Sequence, residues 1–179
     1  FTLAQKENIR VITAEIGYQA ETLSFHHNRF ADYQNDLCWE MVKDIPLTDR
    51  EESELDKYLL GRRKCQNYTI NYWPTQTSNI NFITDELQLD RTKKLAVMFT
   101  NLTWDSAVYK KDIAFINMWD WIISTINYFS DNQDLQLVIR IHPAEKIIPG
   151  ASRDSVTQRI RSNYRVLPNN IKVVLPEND

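Results

Sequence analysis

Glycine is scarce in this chain: its 179 residues include only Gly17, Gly61 and Gly150. Neither a Walker loop nor a GxGxxG turn can be written with these three, which excludes the usual P-loop and dinucleotide fingerprints. A phosphate would have to be held by side chains, helix N-termini or backbone amides outside those motifs. Cysteine is equally sparse. Cys38 and Cys65 form neither a CxxC pair nor a metal cluster. They read as reduced structural thiols of a cytosolic protein rather than as a disulfide. There is no excess of positive charge: 21 Lys and Arg face 24 Asp and Glu, so a general nucleic-acid footprint is absent. No apolar run approaches the roughly 20 residues that span a bilayer. The start, Phe1-Thr2-Leu3-Ala4-Gln5-Lys6, carries no secretory signal, and its lack of an initiator Met points to a fragment or to a chain processed at its start. Hydrophobic residues at 42% and charged residues at 25% suit a soluble globular protein, long enough for one domain or parts of two.

The first half of the chain is irregular. Residues 9–16 read as a strand. Residues 21–46 have no clean period and hold His26-His27-Asn28 among scattered aromatics. Thr48-Asp49-Arg50-Glu51 is a capping box, in which the Thr hydroxyl and the Glu three residues on satisfy each other's backbone amides. The helix it starts should run to about Arg63, with a narrow stripe of Leu55, Leu59 and Leu60. Residues 64–93 read as a polar, aromatic connector.

From Lys94 onward the pattern is regular. Leu95–Thr100 is an apolar strand, and residues 101–111 form a polar loop. A helix is expected over 112–130, with Ile116, Trp119, Ile122, Ile123, Ile126 and Phe129 at three- and four-residue spacing. A strand over 135–141, a helix from Ser152 to about Tyr164 and a strand over 171–175 follow. This β-α-β-α-β order predicts an α/β fold: a Rossmann-like parallel sheet with right-handed crossovers, flanked by helices.

The most telling stretch is Leu135-Gln136-Leu137-Val138-Ile139-Arg140-Ile141-His142-Pro143-Ala144-Glu145. Its apolar part suits a strand buried on both faces of a parallel sheet, and it stops at Arg-x-His-Pro-x-Glu. His142-Pro143 either simply ends the strand or opens a site, since open α/β sheets bind ligands beyond the carboxyl ends of their strands. The other two strand ends carry Asn101-Leu102-Thr103-Trp104-Asp105-Ser106 and Pro176-Glu177-Asn178-Asp179. Together these groups can bind a nucleotide: hydroxyls and amides reach phosphate, His142 donates to a phosphate oxygen, and Glu145 or Asp105 accepts from ribose hydroxyls. Trp104 either stacks on a base or sugar or folds back onto the core. Arg140, inside an apolar strand, is either a structural ion pair or a phosphate clamp. Arg153, Arg159, Arg161 and Arg165 read as a solvated helix face. In the first half, His26 and His27 are either a general base or loop structure, and Glu15 either faces a cleft or is a solvated strand end.

Val97–Ala107, the long helix and Leu137–Glu145 resemble the capsule polysaccharide biosynthesis family. These are GT-B-type glycosyltransferase-like proteins of bacterial surface glycan assembly, including the Kdo transferases of capsule linkers. The likeness covers residues 94–179 and, more weakly, 9–63. It implies a partial GT-B two-domain architecture: residues 1–45 end an N-terminal, acceptor-side Rossmann-like domain, residues 46–93 form the capped helix and connector, and residues 94–179 are the first half of a sugar-nucleotide-binding domain. A further phosphate-binding segment would follow Asp179. The resemblance makes His142 a phosphate ligand with Asn101, Thr103, Asp105 and Glu145 as neighbours. It implies no metal and no cofactor beyond the nucleotide-sugar donor, a glycan or glycolipid acceptor, and a cytoplasmic location, peripheral at the inner membrane in an assembly complex. Three other functions fit the same fold: a non-catalytic nucleotide-binding or assembly module, a sugar-nucleotide epimerase, and a polyol-phosphate transferase.

Overall fold

A computed structural model of the chain describes residues 2–17, 21–29, 36–64, 66, 79–105, 112–147 and 155–177. The chain forms two compact units, Phe1–Pro74 and Thr75–Asp179.

The first unit begins with helix α1 (Thr2–Lys6) and strands β1 (Ile12–Ile16) and β2 (Leu23–His27). The strands pair antiparallel, with Thr13 opposite His26 and Glu15 opposite Ser24. Gly17 closes the ladder by donating its N–H to the Thr22 carbonyl at 2.8 Å. A Cβ there would run into the Thr22 hydroxyl, so the position takes glycine. Strand alternation puts Ile12, Ile16, Leu23 and Phe25 on the exposed face, while Thr13, Glu15, Ser24 and His26 lie on the protected one.

Helices α2 (Asp36–Val42) and α3 (Asp49–Arg63) follow. The expected capping box forms: Thr48 Oγ1 accepts from Glu51 N at 3.3 Å, and Glu51 Oε2 accepts from Thr48 N at 2.8 Å. Hydrogen bonds from the Thr48 backbone and hydroxyl hold the Glu51 carboxyl below its usual range. The stripe of Leu55, Leu59 and Leu60 remains largely exposed.

The second unit opens with a helix where a connector was expected. Asn79 accepts from the amides of Asn81 and Phe82 and so caps α4 (Ile80–Glu86). The helix ends in a Schellman motif, with Leu89 N bonding Thr84 O, Gln88 N bonding Asp85 O, and Gln88 in the left-handed region at φ 53°. The following turn is clasped by Gln136, whose side chain accepts from Asp90 N and donates to Asp90 O, both at 2.7 Å. This pairing is how a polar residue sits buried within the apolar strand.

Strands β3 (Lys94–Phe99), β4 (Leu135–Arg140) and β5 (Ile171–Val174) form a parallel sheet in the order β3-β4-β5. The mixed α/β fold with a three-stranded parallel sheet and packed helices agrees with the expectation from sequence. Met98, Leu137, Ile139 and Ile171 on one face meet Ile122, Ile126 and Phe129 of α5 (Met118–Asp131) and Val156 and Ile160 of α7 (Val156–Asn163) in one core. A four-residue α6 (Ala144–Ile147) lies between β4 and α7.

Helix α5 starts later than its apolar period suggests. Asn117 takes the N-cap and accepts from Asp120 N at 3.0 Å, so Ile116 falls before the helix and is 83% exposed. Ser155, not Ser152, caps α7; Ser152-Arg153-Asp154 lie outside the described residues. Arg159 is no freely solvated cation: its guanidinium sits 4.4 Å from the centre of the Trp119 ring and joins α7 to α5. Among the described residues no helix is long and apolar enough to cross a membrane.

Candidate functional site

Parallel register brings the carboxyl ends of β3, β4 and β5 to one edge of the sheet. Pairing continues just past the strands: Thr100 N donates to Arg140 O and Ile141 N to Val174 O, both at 3.0 Å. His142-Pro143 then ends β4 and also begins a helical turn. Glu145 N bonds His142 O, and Lys146 N bonds Pro143 O, both at 3.1 Å. Proline suits this place because it lacks an N–H where a first turn has no use for one. Four residues are too few to show a helical period, so α6 had no signal in the sequence beyond Pro143 itself.

The His142 ring is half-buried, and its orientation is set by backbone. Nδ1 accepts from Ala144 N at 3.1 Å, so a neutral ring carries its proton on Nε2. Burial pushes the pKa below the ordinary 6.5; the Asp105 carboxylate pulls it upward, and the Arg140 cation lowers it further. Near neutral pH the ring is therefore a neutral hydrogen-bond donor through Nε2, and neither nitrogen is set up to take a proton.

This shift makes stability depend on pH. The folded chain binds the His142 proton more weakly than the unfolded chain, so the stabilisation is complete above 6.5 and is lost as pH falls through the window below it. Urea titrations between about pH 8 and about pH 5 should show stability falling in that window. His142→Asn should flatten that limb; an unchanged slope would remove His142 as its source.

Glu145 binds the start of α7. Its Oε2 accepts from the Ser155 hydroxyl and its Oε1 from Val156 N, both at 3.0 Å. The carboxylate thus sits on the N-terminus of α7, where the helix dipole favours negative charge. Glu145→Ala should cost about 1–2 kcal/mol, the scale of a lost cap, seen as a lower urea midpoint. No change in midpoint would contradict this bond pattern.

The Arg140 side chain donates through Nη1 to the Leu175 carbonyl and so ties β4 to the chain after β5. Asn101 is half-buried and its Oδ1 accepts from Leu102 N at 2.7 Å. Asp105 N closes a turn on Leu102 O at 3.2 Å. Thr103 is exposed, and Trp104 is 46% exposed. Ser106, Asn178 and Asp179 lie outside the described residues. Asn101, Thr103, Trp104, Asp105, Arg140, His142 and Glu145 thus share one sheet edge. Among the described residues no group of three His, Cys, Asp or Glu side chains is arranged to hold a metal ion.

Glu15, His26 and His27 belong to the first unit. His26 is buried, at 4% exposure. Arg29 Nε donates to its Nδ1 at 3.1 Å, and its Nε2 lies 2.8 Å from Ser24 Oγ. Arginine can only donate, so the neutral ring holds its proton on Nε2 and donates to Ser24. A Ser–His pair of this polarity does not activate the serine, and His26 is an internal strut rather than a general base. His27 is exposed, and Glu15 Oε1 accepts from its neighbour Ile16 N at 3.3 Å.

Compared with protein-family models, curated proteins and solved structures, the chain finds no match. The likeness to the capsule polysaccharide biosynthesis family therefore stands on the residues quoted for it. One residue of the edge went unnoticed in the sequence: Thr100, 4% exposed, whose Oγ1 accepts the His142 N–H at 3.1 Å. It reads as the last residue of an apolar strand, and only the register of β3 against β4 reveals its partner.

Proposed function

We propose that the second unit binds the phosphate of a nucleotide sugar at the joined ends of β3 and β4, as part of a GT-B-type glycosyltransferase of bacterial surface glycan assembly. The observation that carries this reading is the His142 ring, held by Ala144 N so that Nε2 is its donor, at the carboxyl edge of a parallel sheet. A neutral imidazole N–H suits a phosphate oxygen. As the glycosidic bond breaks, negative charge grows on the departing phosphate, and a fixed donor then binds more strongly than in the ground state. Trp104 offers an exposed ring for stacking on base or sugar, and the Asn101 amide offers polar contact at the same edge.

A second reading is a nucleotide-binding module without transfer. It is favoured by the engagement of both Glu145 oxygens at α7 and by the hydrogen bond that occupies His142 Nδ1. Incubation with CMP-, UDP- and GDP-sugars and glycan acceptors separates the two. Transfer of the sugar supports the transferase, binding without turnover on any acceptor supports the module, and binding to none of the donors overturns both.

A further inference from the structure

The last rung between β3 and β4 is irregular. In a regular parallel ladder Thr100 N bonds Arg140 O, and the next rung brings His142 N to the Thr100 carbonyl. The first of these bonds is present, but the His142 N–H ends on the Thr100 hydroxyl instead. The side chain reaches where the backbone would have stayed. The His142 amide is thus held by a side chain where a regular ladder would use a carbonyl, at the edge where such sheets take ligands.

We propose that Thr100 is the positioning residue of His142: its hydroxyl replaces the final backbone rung, fixes the His142 main chain, and through it sets the direction of Nε2 towards phosphate. The linkage from main chain to ring is short, because the amide that holds Nδ1 is only two residues on, at Ala144. The part of this proposal that concerns phosphate rests on the nucleotide reading above. The tether itself does not.

Thr100→Val removes the hydroxyl at nearly constant shape, and Thr100→Ser keeps it. In the whole chain, Thr100→Val should speed hydrogen exchange at the His142 amide by about tenfold, the scale of one lost hydrogen bond, while the amides of Thr100 and Ile141 exchange as before. It should also weaken binding of whichever of CMP, UDP and GDP the unmodified chain binds, again by about tenfold. Thr100→Ser should restore both. Unchanged exchange at His142 in Thr100→Val overturns the proposal, as does faster exchange with full nucleotide affinity. If the unmodified chain binds none of the three nucleotides, the nucleotide reading fails instead, and the exchange rates still decide whether the hydroxyl holds His142.

Discussion

Replacing Asn170 by aspartate is expected to lower the stability of the second unit by about 3–5 kcal/mol, the scale of a buried charge left without a partner. Asn170 is 6% exposed, and its Nδ2 donates to the carbonyls of Phe129 at 2.8 Å and Leu135 at 2.9 Å, with a longer contact to Asn132 O at 3.4 Å. One amide thereby ties the C-terminal end of α5 to the start of β4. Its own backbone carbonyl accepts from Leu137 N at 2.9 Å. The orientation of the amide follows from its partners: all three are acceptors, so only the NH2 group can face them. The cost is that Oδ1 is buried with no hydrogen-bond partner among the described residues. Aspartate would set carboxylate oxygens against three carbonyl oxygens, whereas alanine would merely abandon them, at about 2–3 kcal/mol. The order asparagine, alanine, aspartate in urea midpoint, followed through the fluorescence of Trp119 and Trp121 on α5, checks the account. Aspartate as stable as alanine would contradict it.

How much of this was legible before the structure depends on whether a feature is local. The capping box at Thr48 and Glu51 needs only four residues and forms as expected. The β-α-β-α-β order follows from alternating apolar strands and an amphipathic helix, and the parallel register bears it out. Where two local signals compete, the stronger period misleads. Ile116 extends the apolar pattern of α5 backwards, but the Asn117 side chain captures the Asp120 amide and starts the helix there. Asn117 is a good cap type and could have been read. The same holds for Ser155, with Gln158 three residues on, at the start of α7.

The polar side chains that bind distant backbone were beyond reach. Gln136 looked like an ordinary member of an apolar run, yet it pairs with Asp90, 46 residues away. Thr100 and Asn170 are of the same kind: their partners are set by register and crossover, which no single stretch of sequence encodes. At the candidate site the strand order read from sequence places these groups on one edge, as the register does, but it could not say which hydrogen bonds each makes. Glu145 binds the start of α7, Arg140 reaches the Leu175 carbonyl, and His142 is oriented through Nδ1 by Ala144 N.

The second large effect concerns His142. His142→Asn keeps an acceptor near the position of Nδ1, where Ala144 N can still be satisfied, and deletes the Nε2–H group. The fold should survive, because His142 is only half-buried and its backbone bond to Thr100 is untouched. On the proposed phosphate reading, what is lost is one hydrogen bond to a charged phosphate, worth about 1.5–3 kcal/mol, or about 10- to 100-fold in affinity. His142→Ala should lose as much affinity and some stability as well, because Ala144 N then loses its partner.

The central claim is that His142 holds phosphate through Nε2. The most direct measurement is calorimetric titration of the chain and of His142→Asn with CMP-, UDP- and GDP-sugars. The account expects one of these donors to bind the unmodified chain and to bind His142→Asn about 10- to 100-fold more weakly, with the urea midpoint above pH 7 little changed. Equal affinity in the two proteins, or no binding of any donor to the unmodified chain, would contradict it.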